Sequence, residues 1–284
     1  MSFNNFFNLI RYKSYLKNLI IFLPLFLNYT SWSLSNFSKL ILPVIFFSFI
    51  ASSIYIINDL IDLETDQKHK FKKFRPIASG LIKFKTAIYV SSVLAIISLY
   101  YFFKYSDFIV LFLVFSYFII NIFYSIIIKK IKYLDILFVS SGFFIRILIG
   151  SIISNLQISN FFISQIILFS LFILICKRRE YFYIYDDKVI SKYTLKELNI
   201  FSKILLILNI SNYLLYFFYG NRFTGSFSLE ISFLIFIFLI IRYFYINFKN
   251  KNFDPISVYL KDSYLILFSF VYFLNFILGF YGFY

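Results

Sequence analysis

SSIYIINDLIDLETDQKHKFKKFRPIASG, Ser52–Gly80, sets four carboxylates (Asp59, Asp62, Glu64 and Asp66) into eight positions directly behind an apolar run. It then turns basic through Lys68, His69, Lys70, Lys72, Lys73 and Arg75. Asn58, Asp59, Asp62 and Asp66 fall at i, i+1, i+4 and i+8, so a continuous helix brings the three aspartates close to one face. Carboxylates so placed repel one another unless something positive sits among them. Mg²⁺ suits that position, because it is a hard cation that takes oxygen ligands and is commonly shared with a phosphate. The basic residues just beyond suit the phosphate oxygens. A solvated loop of scattered charge is the plain alternative, but it leaves this density of charge at the edge of an apolar chain without a use.

Working outward, the 284 residues are 61% hydrophobic and 25% aromatic. No water-soluble core hides that much apolar surface, so the composition predicts an all-α integral membrane protein forming one polytopic domain over 1–284. Charge-poor segments long enough to cross a bilayer fall at about 16–30, 38–58, 85–103, 107–128, 134–154, 160–177, 201–220, 228–247 and 263–283, giving nine transmembrane helices. The N-terminal apolar run has no small-residue cleavage signature behind it and reads as an uncleaved first span, with Pro24 as a kink site. Cys176 and His69 are the single cysteine and histidine, which excludes an internal disulfide, a cysteine zinc cluster and a poly-histidine metal site.

The net charge of +15 invites a nucleic-acid reading, but its distribution argues for membrane topology. Three Lys or Arg precede the first span, and the alternate loops that follow carry seven, three, seven and four. Lys39, Lys104 and Arg222 are left on the other side, and Arg146 lies within a span. This asymmetry puts the N-terminus and the acidic cluster on the cytoplasmic side of the plasma membrane. Arg146, in Gly142–Gly150 and a few turns into an apolar helix, calls for a carboxylate or a phosphate partner. Lys129, Lys130 and Lys132 after the fourth span, and Lys177-Arg178-Arg179 after the sixth, serve equally as topology anchors or as anion ligands.

Asn58-Asp59-x-x-Asp62-x-x-x-Asp66 behind a second span, in a chain with a basic cytoplasmic side, resembles the UbiA superfamily of intramembrane transferases. Further motifs are similar to one branch, the decaprenyl-phosphate phosphoribosyltransferases: Lys17-Asn18 at the first span, Asp62–His69 running into Lys73–Gly80, Tyr124-Ser125 before Lys129-Lys130, Gly142–Gly150, and Lys177–Glu180. The chain departs from the wider family where a second aspartate-rich motif is usual. Lys177-Arg178-Arg179-Glu180 stands there, with Asp186-Asp187 further on. Tyr15 and Lys70 replace residues common in the branch.

The resemblance implies a helical bundle around a lipid-open cavity and transfer of 5-phosphoribose from phosphoribosyl pyrophosphate to a polyprenyl phosphate, for cell-envelope polysaccharide synthesis. It implies Mg²⁺ held by Asp59, Asp62 and Asp66, which are also the catalytic residues, with substrate contacts from Lys17, Asn58, Lys73, Arg75, Tyr124, Lys129, Lys130, Arg146, Lys177, Arg178 and Arg179. The alternative is a UbiA-type prenyltransferase moving a prenyl group onto an aromatic or haem acceptor, a reading that the missing second aspartate-rich motif weighs against. A transporter would spread its polar residues across mid-membrane positions, and a scaffold would leave the aspartate spacing unexplained.

Overall fold

A computed structural model describes residues 3–27, 33–184, 192–219, 227–249 and 255–280, and every regular element among them is helical. Contacts sort the helices into two compact units, residues 1–158 and 159–284. The first holds α1 (Phe3–Leu9), a 3₁₀ helix (Tyr12–Phe22), α2 (Leu23–Leu27), α3 (Leu34–Ile61), α4 (Leu63–Lys68), α5 (Phe84–Tyr105), α6 (Phe108–Ile126) and α7 (Leu134–Ser154). The second holds α8 (Asn160–Ile184), α9 (Leu195–Tyr219), α10 (Phe227–Lys249), α11 (Pro255–Lys261) and α12 (Ser263–Phe280).

Seven of these helices are long and apolar enough to cross a membrane: α3, α5, α6, α7, α8, α9 and α10. Apolar α12 and the 3₁₀–α2 segment occupy the two remaining expected positions. The chain is a multi-pass membrane protein. Its surface says the same, since Tyr89, Ile96, Phe103, Phe108 and Phe112 stand exposed on α5 and α6, where only lipid makes such exposure favourable.

The first expected span differs most from the expectation. It winds as a 3₁₀ helix and converts to α-helix at Leu23, one residue ahead of Pro24. Proline has no N–H to give and its φ suits a first helical turn, so it sits here at a helix start.

Within the first unit the 3₁₀ helix lies against α3 and α7 through small and polar residues. Ser52 Oγ donates to the Ile10 carbonyl at 2.7 Å and stands 2.9 Å from the Tyr15 hydroxyl. Asn18 Nδ2 donates to Ser48 Oγ at 2.8 Å. Small residues let backbones approach closely where no hydrophobic effect drives helices together. Gly150 on α7 is the extreme case, because a Cβ there would stand 2.0 Å from the Ile21 carbonyl oxygen. The apolar core behind these contacts gathers Ile21, Leu25, Phe47, Ile50, Val114 and Ile149.

In the second unit, Phe172, Cys176, Ile240 and Leu265 form the core. Gln165, Asn209 and Asn212 join α8 to α9 by side-chain hydrogen bonds of 3.0 and 2.8 Å. Asp262 accepts from the Leu265 N–H at 2.9 Å at the start of α12, and from Arg242 at 2.8 Å. Burial pushes its carboxyl up, but the Arg242 hydrogen bond and charge, together with the Leu265 and Tyr264 N–H groups, outweigh that and hold it below the usual carboxylate range.

Candidate active site

The aspartate cluster lies where α3 ends. α3 stops at Ile61, and Asp62 takes φ −88° and ψ 4°, a bridge-region residue between α3 and α4. The continuous helix expected from the spacing is therefore broken at Asp62, and the Thr65 hydroxyl donates to the Asp62 carbonyl at 2.8 Å to help seat α4. Asp59 and Asp66 are nonetheless brought together, because Arg75 NH1 reaches Asp59 Oδ1 at 3.0 Å and Asp66 Oδ2 at 2.5 Å. Both carboxylates are buried, at 4% and 3% exposure.

Arg75 comes from the turn behind α4. His69 Nδ1 accepts the N–H groups of Phe71 and Lys72 at 3.2 and 3.3 Å, and the chain reverses again at Gly80, whose φ of +77° suits a residue without Cβ. Two further cations complete the cluster. Lys129, on the short turn after α6, pairs with Asp62 Oδ1. Arg11, between α1 and the 3₁₀ helix, pairs with Asp59 Oδ1 and lies over the Tyr55 ring at 5.0 Å.

Arg11 is the member of the cluster that sequence reasoning missed, since it counted only as a topology charge. Its backbone is left-handed, at φ 52° and ψ 48°, a conformation that costs a non-glycine residue on the order of 1–2 kcal/mol. Nothing in the sequence around Arg11 signals that geometry.

Arg146 lies one helix away on α7, 5% exposed. Its hydrogen bonds go to neutral oxygens: Nε to Asn18 Oδ1 at 2.8 Å, NH1 to the Gly142 carbonyl at 2.6 Å and NH2 to the Tyr117 hydroxyl at 2.9 Å. The rings of Tyr117 and Phe47 face it at 4.9 and 5.1 Å. The carboxylate partner considered from the sequence is absent among the described residues, so the guanidinium is held by the fold while its charge stays uncompensated. Arg146→Met strands Asn18 Oδ1 and the Tyr117 hydroxyl in a dry site. The expected result is a loss of about 2 kcal/mol of stability, read as a lower melting temperature.

Of the other residues singled out, Asn58 and Tyr124 are half-buried, whereas Lys17, Lys73 and Lys130 are exposed. Lys73 lies 5.2 Å over the Phe74 ring. In the second unit Lys177 and Arg178 are half-buried on α8. Arg179 is buried and works within the bundle: Nε donates to Asn199 Oδ1 and NH1 to the Asn247 carbonyl, both at 2.6 Å, and Phe248 stacks at 3.7 Å. Arg179 thus ties α8 to α9 and to the end of α10. The side chain of Glu180, and Asp186 and Asp187, fall outside the described residues.

The donors at the α3 end are all oxygen, the ligand set a hard divalent cation takes. Among the described residues no three of the acidic, His or Cys groups converge as a ready-made metal cluster. Guanidinium and ammonium groups lie on the carboxylates instead. The donor chemistry therefore fits such a cation, provided that it displaces these groups.

Comparison with known proteins adds the family. Residues 19–274 match the UbiA prenyltransferase family. The chain is 33% identical over 141 residues to the decaprenyl-phosphate phosphoribosyltransferase of Mycolicibacterium smegmatis, covering 50% of this chain and 44% of that protein. It is 34% identical over 133 residues to the enzyme of that name from Corynebacterium glutamicum, covering 46% of this chain and 40% of that one. The chain thus aligns with less than half the length of these curated relatives. Among solved structures, a UbiA homologue from Archaeoglobus fulgidus bound to DMAPP and Mg²⁺ superposes with a TM-score of 0.72 at 16% identity, covering 98% of both chains. A digeranylgeranylglyceryl phosphate synthase superposes at 0.63 and 19%, again over 98% of each. The family match covers most of the chain and the shared fold nearly all of it: the chain belongs to the UbiA prenyltransferase family.

Proposed function

We propose that the chain transfers 5-phosphoribose from phosphoribosyl pyrophosphate to a polyprenyl phosphate, releasing pyrophosphate, in a Mg²⁺-dependent reaction at the cytoplasmic face of the plasma membrane. The observation that carries this reading is the interleaving of Asp59, Asp62 and Asp66 with Arg11, Arg75 and Lys129 at one end of α3. Groups of both signs in one place suit a cation and a polyanion bound together. The choice of donor rests on the similarity to the decaprenyl-phosphate phosphoribosyltransferases.

Asp59, Asp62 and Asp66, with Asn58 beside them, would hold the metal, which supplies Lewis acidity and stabilises the departing pyrophosphate. Lys17, Lys73, Arg75, Tyr124, Lys129 and Lys130 neutralise and orient the pyrophosphate oxygens. Arg146, Lys177 and Arg178 serve the other two anionic groups, the acceptor phosphate and the ribose 5-phosphate, with Arg179 bracing α8 beneath Lys177 and Arg178.

The bond from ribose C1 to the pyrophosphate oxygen breaks as a phosphate oxygen of the acceptor bonds to C1. That oxygen is already anionic near neutral pH. No general base is needed, and positioning and charge stabilisation carry the rate. Phe- and Ile-rich spans give the isoprenoid tail an apolar surround, and the product is a lipid-linked pentose suited to cell-envelope polysaccharide synthesis.

Membranes containing the chain are incubated with Mg²⁺, polyprenyl phosphate and donor labelled in the ribose. The expected result is label in an organic-extractable lipid, lost on chelation of the metal. Absence of labelled lipid alongside transfer from a prenyl diphosphate to an aromatic acceptor replaces this reading with the prenyltransferase one.

A further inference from the structure

We propose that Arg11 is a positioning residue that latches Asp59 while the site is without metal, and that it changes partner to a diphosphate oxygen when metal and diphosphate arrive together. The inference rests on the reading above that both meet at Asp59. Its ground is the partner pattern. Asp59 Oδ1 takes two guanidinium groups at once, from Arg11 and from Arg75, and Arg75 also holds Asp66. Lys129 holds Asp62 in the same way. Every aspartate of the cluster is therefore committed to a cation of the chain.

A divalent cation arriving alone has to displace those groups from the carboxylates and leave like charges facing one another. One arriving with a diphosphate gives each displaced cation a new anionic oxygen. The arrangement makes metal binding and diphosphate binding mutually dependent, and coupling of this kind is reciprocal.

A second, independent observation marks Arg11 within the set. Its backbone holds the left-handed conformation, at φ 52° and ψ 48°, as the chain passes from α1 into the 3₁₀ helix. Strain of this sort persists where surrounding contacts hold the residue in place, and it concentrates at working sites. Here the surrounding contacts are the Asp59 carboxylate, 48 residues away, and the Tyr55 ring. The Arg11 side chain is 27% exposed, so it is not sealed within the site.

The test uses the full chain in detergent, with Mn²⁺ as the metal probe followed by electron paramagnetic resonance, first alone and then with inorganic pyrophosphate. Pyrophosphate is expected to tighten Mn²⁺ binding in the parent protein. R11Q is expected to bind Mn²⁺ alone more tightly, by about tenfold, and to show a smaller tightening by pyrophosphate. Complex formation between Mn²⁺ and pyrophosphate in free solution is common to all variants and cancels in the comparison. K13Q removes the same unit of charge from an exposed neighbouring side chain and is expected to leave both quantities unchanged. R11K keeps the cation but loses the planar fork, and shifts in the R11Q direction by a smaller factor.

Unchanged Mn²⁺ affinity in R11Q with a parent-like melting temperature overturns the proposal, and so does a K13Q shift equal to that of R11Q. If R11Q does not fold, an unchanged R11K is the overturning result. Pyrophosphate is common to any diphosphate donor, so the latch is tested separately from the labelled-lipid experiment, and either can fail without the other.

Discussion

Asp59→Asn abolishes Mg²⁺-dependent transfer, with an expected loss of at least about 100-fold in kcat, while the protein still inserts and folds. Two consequences of the change oppose each other. Asn keeps an oxygen that accepts from Arg11 and Arg75, but it removes the charge that a divalent cation requires of its ligand. Losing the charge of a fully buried pair costs about 3–5 kcal/mol. Here the arginine side chains are 27% and 28% exposed, so water takes up much of that cost and the melting temperature falls only modestly. Activity and stability therefore separate, and that separation distinguishes a ligand from a structural ion pair. Asp62→Asn, which removes the negative charge facing Lys129, behaves the same way. Measured turnover with chelator controls, beside thermal melts, checks both; activity retained in both variants removes the metal assignment.

Gly150→Ala is expected to be the most damaging single methyl group in the first unit. Helix propensity alone favours alanine over glycine by about 1 kcal/mol. The added carbon, however, stands 2.0 Å from the Ile21 carbonyl oxygen and 2.9 Å from its carbon. These are backbone atoms and cannot rotate away, so α7 and the 3₁₀ helix have to separate. Overpacking of this kind costs about 1–3 kcal/mol, which exceeds the propensity gain. Separation also pulls Arg146, one turn earlier on α7, away from Asn18. Activity should then fall further than stability accounts for. Gly142→Ala is the milder contrast: its Cβ meets Arg146 NH1 at 3.2 Å and Tyr117 Cε2 at 3.3 Å, side-chain atoms that need to shift by only a few tenths of an ångström. A melting temperature for Gly150→Ala equal to that of Gly142→Ala contradicts the close-approach argument.

Hydropathy placed the spans well because a bilayer imposes it residue by residue. α7 runs from Leu134 to Ser154, the limits expected for it, and α5 and α6 agree within a few residues. The aspartate cluster was legible for a similar reason, since charge density beside an apolar run is a local property. Pairing is not local. Arg146 finds Asn18 across 128 positions and Arg11 finds Asp59 across 48, and neither partner can be deduced from spacing. The same limit applies to Arg179, whose neighbours in sequence made it look like one of three equivalent cations. In the structure it closes the bundle through Asn199 and Asn247 while Lys177 and Arg178 are only half-buried. Winding escaped notice as well. The apolar pattern of the first expected span suits either helix type, and Pro24 marks only where one gives way to the other.

That winding makes the first segment commensurate with both of its neighbours. Three residues of a 3₁₀ helix advance about 6 Å, and so do four residues of an α-helix. From Tyr15 to Asn18 the segment therefore keeps step with Ser52 to Ser48 on α3, running the opposite way. From Asn18 to Ile21 it keeps step with Arg146 to Gly150 on α7, running the same way. Asn18 is the shared tooth of this vernier, giving its amide nitrogen to one helix and its amide oxygen to the other. A one-residue insertion or deletion between Tyr15 and Ile21 would throw both scales out of phase at once, which ties the length of this stretch to its place between two helices.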